Sequence, residues 1–417
     1  MATIVFSTFG SLGDVYPYLA IGRVLQGRGH RVVIAANGPH RRGVEAAGFA
    51  FVALQPELPP GDRELLSLNL DTARGTERLF REYFLPTIRT TYDELTAAIR
   101  GADLLVSHPL TLAAPLVAEQ TGIRWLSSVL APTSLFSAYD PPILAPFPEL
   151  SAALRGWGPL VNGVFLGLGK FVTEPWLAPL RALRAELGLG WGGNPLFEGQ
   201  FSPRGTLALF SGLMGSPQPD WPPHTHPTGF CFWDDQELPE DLEAFLAAGE
   251  PPIVFTLGSA AVFVAQDFFI QSAAAVRRLN RRAVLVVGDN PGAGLVDERI
   301  AVVPYAPHGK LFSRAAAVVH QGGIGTSAQA LRAGVPMLVV PFNFDQPDNA
   351  ERLARLGVAR TLTRPDYCAA RVATELEILL NDKTIRARAA DAGRRVRSEN
   401  GAVAAADRIE AALCKPS

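Results

Sequence analysis

Short apolar, β-branched runs recur along this chain, and each ends in a glycine or polar turn that leads into a helical pattern. The clearest span 3–7, 31–35, 104–107, 125–129, 253–257, 283–287, 317–320 and 337–341. Runs that are apolar at successive positions need cover on both faces, which is the pattern of strands in a parallel sheet. Helical stretches between them predict an α/β protein built from βαβ units. One internal echo sharpens this. IVFSTFGS (4–11) resembles IVFTLGS (253–259), each an apolar strand entering a Gly-Ser turn. The echo predicts two doubly wound domains of one design, each opening with its first strand and turning the carboxyl ends of its strands toward a shared cleft.

The stretch 217–251 is rich in proline and acid (DWPPHTHP, then DDQELPED) and reads as the interdomain connection. It divides an N-terminal domain, 1–216, from a C-terminal domain, 252–400. Residues 401–417 read as a closing helix that packs back toward the first domain. The region 74–100 predicts one long amphipathic helix, and 150–187 predicts interrupted helices carrying Trp157, Phe165, Phe171 and Trp176. Those aromatics fit either core packing or the wall of an apolar ligand pocket. The arginines at 277–282 and 394–397 read as solvated helix faces.

Composition excludes several classes. The 417 residues are 48% hydrophobic and 19% charged, with Lys+Arg 38 against Asp+Glu 40 and a net charge of −2. The basic excess of a nucleic-acid binder is missing. Cys231, Cys368 and Cys414 form no CxxC pair and no disulfide framework, as in a reducing cytoplasm. The start MATIVFSTFG lacks the features of a signal peptide, and no run approaches ~18 apolar residues, so no transmembrane segment is expected; peripheral membrane contact stays open.

The most informative stretch is VVHQGGIGTSAQALRAGVPMLVVPFNFDQPDNAERL, 318–353. A buried strand ends at His320. Gly322, Gly323 and Gly325 follow, and a helix opens near Thr326. Such a turn presents backbone N–H groups without Cβ obstruction at a helix N-terminus, an anion site into which a diphosphate fits. His320 and Thr326 add side-chain donors. The next strand ends near Pro341, which places Asp345 and Gln346 at the neighbouring mouth. That pair suits two vicinal sugar hydroxyls, or else caps the following helix. Glycine-rich turns alone are common; the joint pattern is far more specific.

Taken together the segment resembles the donor-binding signature of GT-B family 1 glycosyltransferases, HxGGxGT…AGVPxxxxPxxxDQxxNAxR. It is similar to the bacterial branch, which includes sterol and antibiotic glycosyltransferases and, nearest in likeness, the rhamnosyltransferase of rhamnolipid synthesis. Shared features extend over nearly the whole chain: an opening of the type GSxGDVxP, TGF at 228–230, YAP at 305–307 and DNAERLxRLG at 348–357. The resemblance implies a GT-B fold, two Rossmann-like domains facing a cleft, with a UDP- or dTDP-sugar as donor and a small, apolar, hydroxylated acceptor.

It also implies roles for single residues. Tyr305 stands where a tryptophan stacks on the nucleobase, Ala306 adjoins it, and His308 replaces a glutamine. Ser259 matches a serine near the phosphates, with Gly13 on the facing loop. His320, Gly322, Gly323, Gly325 and Thr326 hold the diphosphate, and Asp345 and Gln346 hold the sugar. A ribose-binding glutamate of the plant branch is replaced by Ala328. Transfer needs a general base, and the loop FGSLGDVYP (9–17) offers Asp14, which otherwise would cap helix 15–28. Gly10 and Gly13 lack the spacing of a dinucleotide fingerprint. His108, at the end of strand 104–107, is expected beside Asp14. A base on the face opposite the leaving group implies inversion. No cluster has metal-ligand spacing, so neither metal nor other cofactor is expected. An epimerase of the same fold and a non-catalytic sugar-nucleotide binding subunit are the rival readings; the apolar 74–190 region, Asp14 and the Asp345–Gln346 pair weigh toward the transferase.

Overall fold

The computed structural model of the protein describes residues 1–57, 67–68, 70–234, 236–292 and 294–414. The first lobe holds strands β1 (Thr3–Ser7), β2 (Arg31–Ala36), β3 (Ala50–Ala53), β4 (Leu104–Ser107), β5 (Arg124–Val129), β6 (Thr206–Ala208) and β7 (Thr225–Pro227). The second holds β8 (Ile253–Thr256), β9 (Ala283–Val286), β10 (Ile300–Val303), β11 (Ala317–His320), β12 (Met337–Val339) and β13 (Ala359–Thr361). The orders are β3-β2-β1-β4-β5-β6-β7 and β10-β9-β8-β11-β12-β13. Strand pairing is parallel throughout, with Val5 opposite both Val33 and Leu105, and Phe255 opposite both Leu285 and Val319. All eight apolar runs are strands. The other five, β3, β6, β7, β10 and β13, are short, and four of them lie at sheet edges, where one face or flank stays wet and the apolar signal fades.

Both sheets reverse their winding next to the first strand of the lobe: β1 lies between β2 and β4, and β8 between β9 and β11. That reversal opens a crevice at the carboxyl ends of the central strands. The segments that follow β1 and β4 carry Asp14, in the first turn of the next helix, and His108; those that follow β8 and β11 carry Ser259 and the glycines 322, 323 and 325.

Five helices matter below: α1 (Leu12–Gly27), α2 (Pro159–Thr173), α3 (Ile324–Ala333), α4 (Gln346–Arg355) and α5 (Gly401–Cys414). The expected long helix over 74–100 is broken. A single turn at Gly75–Arg78 widens into a π turn at Leu79–Phe84, and a regular helix resumes at Ile88–Ala98. Pro86 supplies no N–H and interrupts the ladder. Within 217–251, Thr225–Pro227 forms the edge strand β7, and the helix Glu240–Ala247 buries Leu242 and Leu246 in the second lobe's core. Asp235 lies outside the described residues. Helix α5 returns to the first lobe, burying Ala405, Ala406 and Ile409 against α1, and Arg28 bonds Asp407 at 2.7 Å.

The lobes share a core. Val129, Phe210 and Met214 of the first join Leu331, Ala350 and Leu353 of the second. Beside this cluster Arg352, 2% exposed, donates to Asp348 at 2.6 Å within α4, to the Met214 carbonyl at 2.9 Å, and to Asp140 of the first lobe. Asp348 in turn accepts the Ile143 amide at 3.0 Å. Burial opposes ionisation of Asp140, but Arg352 and Arg155 hold its carboxyl below the usual carboxylate range. Arg352→Leu leaves the buried Asp348 carboxylate without its cation, while Asp140 keeps Arg155 and Arg355, and is expected to cost about 3–5 kcal/mol in urea unfolding, the usual result of breaking a buried pair. A cost below about 1 kcal/mol would show that water already screens the pair.

Candidate active site

The first-lobe wall is set by the turn into α1. Gly10 takes φ +122°, and a Cβ there would lie 2.3 Å from the Asp14 carboxylate, so only glycine admits that carboxylate so close. Ser11, not Asp14, is the N-cap. Asp14 is the third residue of the helix and completes a capping box, its Oδ2 accepting the Ser11 amide at 2.7 Å and the Ser11 hydroxyl at 3.2 Å. Its Oδ1 lies 3.7 Å from His108 Nε2. His108 Nδ1 accepts the Leu110 amide at 3.3 Å, which puts the ring proton on Nε2, facing Asp14. The separation is beyond a hydrogen bond. Burial pushes Asp14 up to about 6, against the lowering pull of the Ser11 bonds. Burial holds His108 down to about 3, so it is neutral at physiological pH. The Asp14 side chain is 28% exposed, into the cleft.

The second-lobe wall is the mouth of α3. Gly322 takes φ +91°, and a Cβ there would come within 2.8 Å of Val339 and 3.1 Å of the Gln346 carbonyl. Gly323 occupies the N-cap position and offers no side chain to cap the helix; the amides of the first turn lack intrahelical partners, and that of Ile324 donates to the Asp345 carboxylate. His320 is fully buried; its Nδ1 accepts the Gly322 amide at 3.0 Å, and its protonated Nε2 has no partner. Burial, with His308 nearby, lowers it to about 3. Thr326 is 7% exposed, and Ser327 Oγ beside it is also unpartnered.

Around this mouth the remaining residues fall in place with some surprises. Ser259 is exposed at the end of the β8 loop, and Tyr305 is 42% exposed with its hydroxyl against that of Tyr16 of the first lobe. Ala306 is fully buried in the core. His308 stacks on Phe312 (ring centroids 4.6 Å apart), sits 3.5 Å from Thr256 Oγ1, and is lowered by burial to about 4. Asp345 holds the N-cap position of α4 without capping it; its Oδ2 accepts from Asn349 Nδ2 at 2.7 Å. Burial raises Asp345 to about 7, opposed by the Asn349 bond and helped by the charge of Asp14. Gln346 Oε1 is occupied by the amides of Phe342 at 2.8 Å and Asn343 at 3.3 Å, which leaves its NH2 group as the part free for a ligand.

The two walls touch. A Cβ on Gly325 would lie 3.6 Å from the Gly13 Cα. The structure therefore gathers Asp14, His108, Gly13, His320, the glycines and Asp345 at one place. It adds Gln321, whose side chain folds beneath Gly258 and Gly323, within 2.3 and 2.8 Å of where their Cβ atoms would be, and whose Oε1 is buried without a partner. It also adds Asn349, which ties Asp345 to the Gly322 carbonyl at 2.9 Å. Gln321 sits at a variable motif position and carried no signal; Asn349 was findable as the residue one turn after Asp345. Trp157 and Phe171 are 69% and 76% exposed and so belong to no core, whereas Phe165 and Trp176 are half-buried. Among the described residues no group of three His, Cys, Asp or Glu side chains is placed to hold a metal ion, and no helix is long and apolar enough to cross a membrane.

Two facing lobes, each a doubly wound parallel sheet, are the GT-B arrangement. Residues 4–138 match the model of the glycosyltransferase family 28 N-terminal domain, and 274–411 that of the erythromycin biosynthesis protein CIII-like C-terminal domain. The chain is 35% identical over 413 residues to the O-mycaminosyltylonolide 6-deoxyallosyltransferase of Streptomyces fradiae, covering 95% of this chain and 94% of that one. The glycotransferase of kitacinnamycin superposes with a TM-score of 0.71 at 23% identity, over 99% of both chains. The glycosyltransferase VinC, solved with dTDP, superposes with a TM-score of 0.68 at 20% identity, again over 99% of both. The chain belongs to the GT-B glycosyltransferases of the bacterial antibiotic-glycosyltransferase kind, and it is an enzyme. The rhamnolipid likeness rests on sequence motifs alone.

Asp14 and Asp345 both titrate higher in the folded chain than in the unfolded one, so the folded state holds their protons more tightly. Their contribution to stability is complete below pH about 4 and is lost as pH rises through about 6 and about 7. The wild type is expected to lose stability across that window relative to the Asp14→Asn/Asp345→Asn double variant, followed by thermal unfolding. Parallel pH courses would contradict the burial of the two carboxyls.

Proposed function

We propose that the protein transfers a hexose, with inversion, from a nucleoside-diphosphate sugar to a hydroxyl of a small lipophilic or aromatic acceptor, with Asp14 as general base. The carrying observation is the contact between the Gly13 loop and the α3 mouth, which brings a base of raised pKa beside an anion site. Asp14 takes the proton as the acceptor oxygen attacks the anomeric carbon. The bond from that carbon to the diphosphate breaks, and its electron pair leaves on the phosphate oxygen. His320 Nε2–H, Thr326 and the amides of the α3 mouth meet the growing charge. Asp345, steadied by Asn349, and the Gln346 amide bind sugar hydroxyls. Tyr305, the Ala306 backbone and His308 receive the nucleobase, and Ser259 the phosphates. His108 offers Asp14 a neutral N–H at a distance that a modest shift closes, and so acts as a positioning residue.

The Streptomyces fradiae relative transfers, by its name, a 6-deoxy sugar, and VinC was solved with dTDP. Both favour dTDP-deoxyhexose over UDP-glucose as the donor, and Ala328 in place of a ribose-binding glutamate agrees. The three unpaired cysteines agree with a cytoplasmic setting.

Nucleotide release should be followed with dTDP-rhamnose and UDP-glucose over phenolic, sterol, macrolide and hydroxy-fatty-acid acceptors. Release that needs no acceptor, with an altered sugar, would favour an epimerase instead. Asp14→Asn should lower kcat by about 10²-fold or more with donor KM little changed. The wild-type kcat/KM should rise through pH about 6 as Asp14 ionises. Near-normal turnover in the variant would remove Asp14 from the chemistry. Activity should persist in excess EDTA; its loss, restored by a divalent cation, would overturn the metal-free mechanism.

A further inference from the structure

Helix α2 is apolar on its outer side as well as its inner one. Its protein-facing side carries the buried Asn162 and Leu166, with Asn162 Nδ2 donating to the Ala138 carbonyl at 3.0 Å. Its water-facing side carries Leu160, Val164, Leu168 and Phe171, 88%, 75%, 58% and 76% exposed, with Val172 at its flank and Trp157 just before the helix. A helix on a water-exposed surface ordinarily turns polar residues outward. Gly163 and Gly167 lie on the same outward face. A Cβ on Gly167 would meet nothing within 4 Å, and one on Gly163 only Ala138 at 3.9 Å.

Six large apolar side chains and the bare glycine backbone between them lie exposed along one side of the helix and its entry. A contiguous exposed apolar patch of this kind marks an interaction site. Charge separates the possible occupants. An interfacial helix on an anionic bilayer needs free Lys or Arg around its apolar face. Here the cations at the rim are paired within the chain: Arg155 with Asp140, Lys170 with Glu198 and Arg181 with Glu174. No acidic residue occurs between Leu150 and Thr173 to repel an identical face. A neutral, self-compatible rim around an apolar stripe is what a two-fold contact uses.

We propose that α2 is the docking surface for a second copy of this chain, the two helices crossing at Gly163 and Gly167 across a two-fold axis. The glycines let the backbones approach while Val164 and Leu168 of each copy fill the space beside the other.

Sedimentation velocity at micromolar concentration should give a species of twice the 44.6 kDa chain mass. Val164→Arg, at the centre of the stripe, should give the single-chain mass with an unchanged thermal midpoint. Ile378→Arg, at an exposed apolar position on the second lobe, should leave the dimer intact. A wild-type monomer, or a Val164→Arg protein that stays dimeric, overturns the proposal. Should the wild type be monomeric and float with phosphatidylcholine vesicles in a Val164-dependent way, the occupant is lipid and the second-copy reading fails.

Discussion

The cleft is divided by hydrogen-bonding sense, and the rest of the structure serves that division. Two carboxylates, Asp14 on the first-lobe wall and Asp345 on the second, are acceptors whose pKa values burial pushes to about 6 and about 7. The α3 mouth supplies donors: His320 Nε2, which has no partner, and the first-turn amides, of which that of Ile324 meets the Asp345 carboxylate. A sugar diphosphate has the inverse layout, hydroxyl donors at one end and phosphate acceptors at the other. In the proposed reaction the acceptors and donors of the cleft are the complements of the two halves of such a ligand.

Holding that division together is a packing problem between lobes. The doubly wound topology delivers the right loops, since each lobe reverses its winding beside its first strand and opens a crevice there. Topology alone does not bring the crevices face to face. The shared core around Phe210, Met214 and Leu353 does, with Arg352 binding Asp348 on its own helix and Asp140 on the opposite lobe. Helix α4 therefore joins two duties: its N-terminus carries Asp345 and Gln346, and its middle grips the first lobe. Any slip of the lobes would move Asp345 and Gln346, the residues proposed to bind the sugar, with it.

Much of this was legible in the sequence. Central strands announced themselves because both faces are buried, and the glycines at 322, 323 and 325 because a tight turn into a helix needs them. Asp14 was found by its place after the first strand, although its local role is capping-box partner rather than N-cap. What stayed hidden depends on the third dimension. Four of the unforeseen strands are short edges. The π turn at 79–84 has no periodic signature, and Gln321 reveals itself only by filling the space under two glycines. Helix α2 is the sharpest lesson: amphipathic spacing shows which residues share a face but not which face turns inward, so Trp157 and Phe171 were open to a core assignment that the fold denies.

A crystal structure of the protein with a bound nucleoside diphosphate addresses the central claim most directly. The account predicts a terminal phosphate at the α3 N-terminus, with oxygens ~2.7–3.1 Å from His320 Nε2 and from amides of the first turn, and with Asp14 on the facing wall. Phosphates held elsewhere, with His320 Nε2 still unbonded, would contradict it.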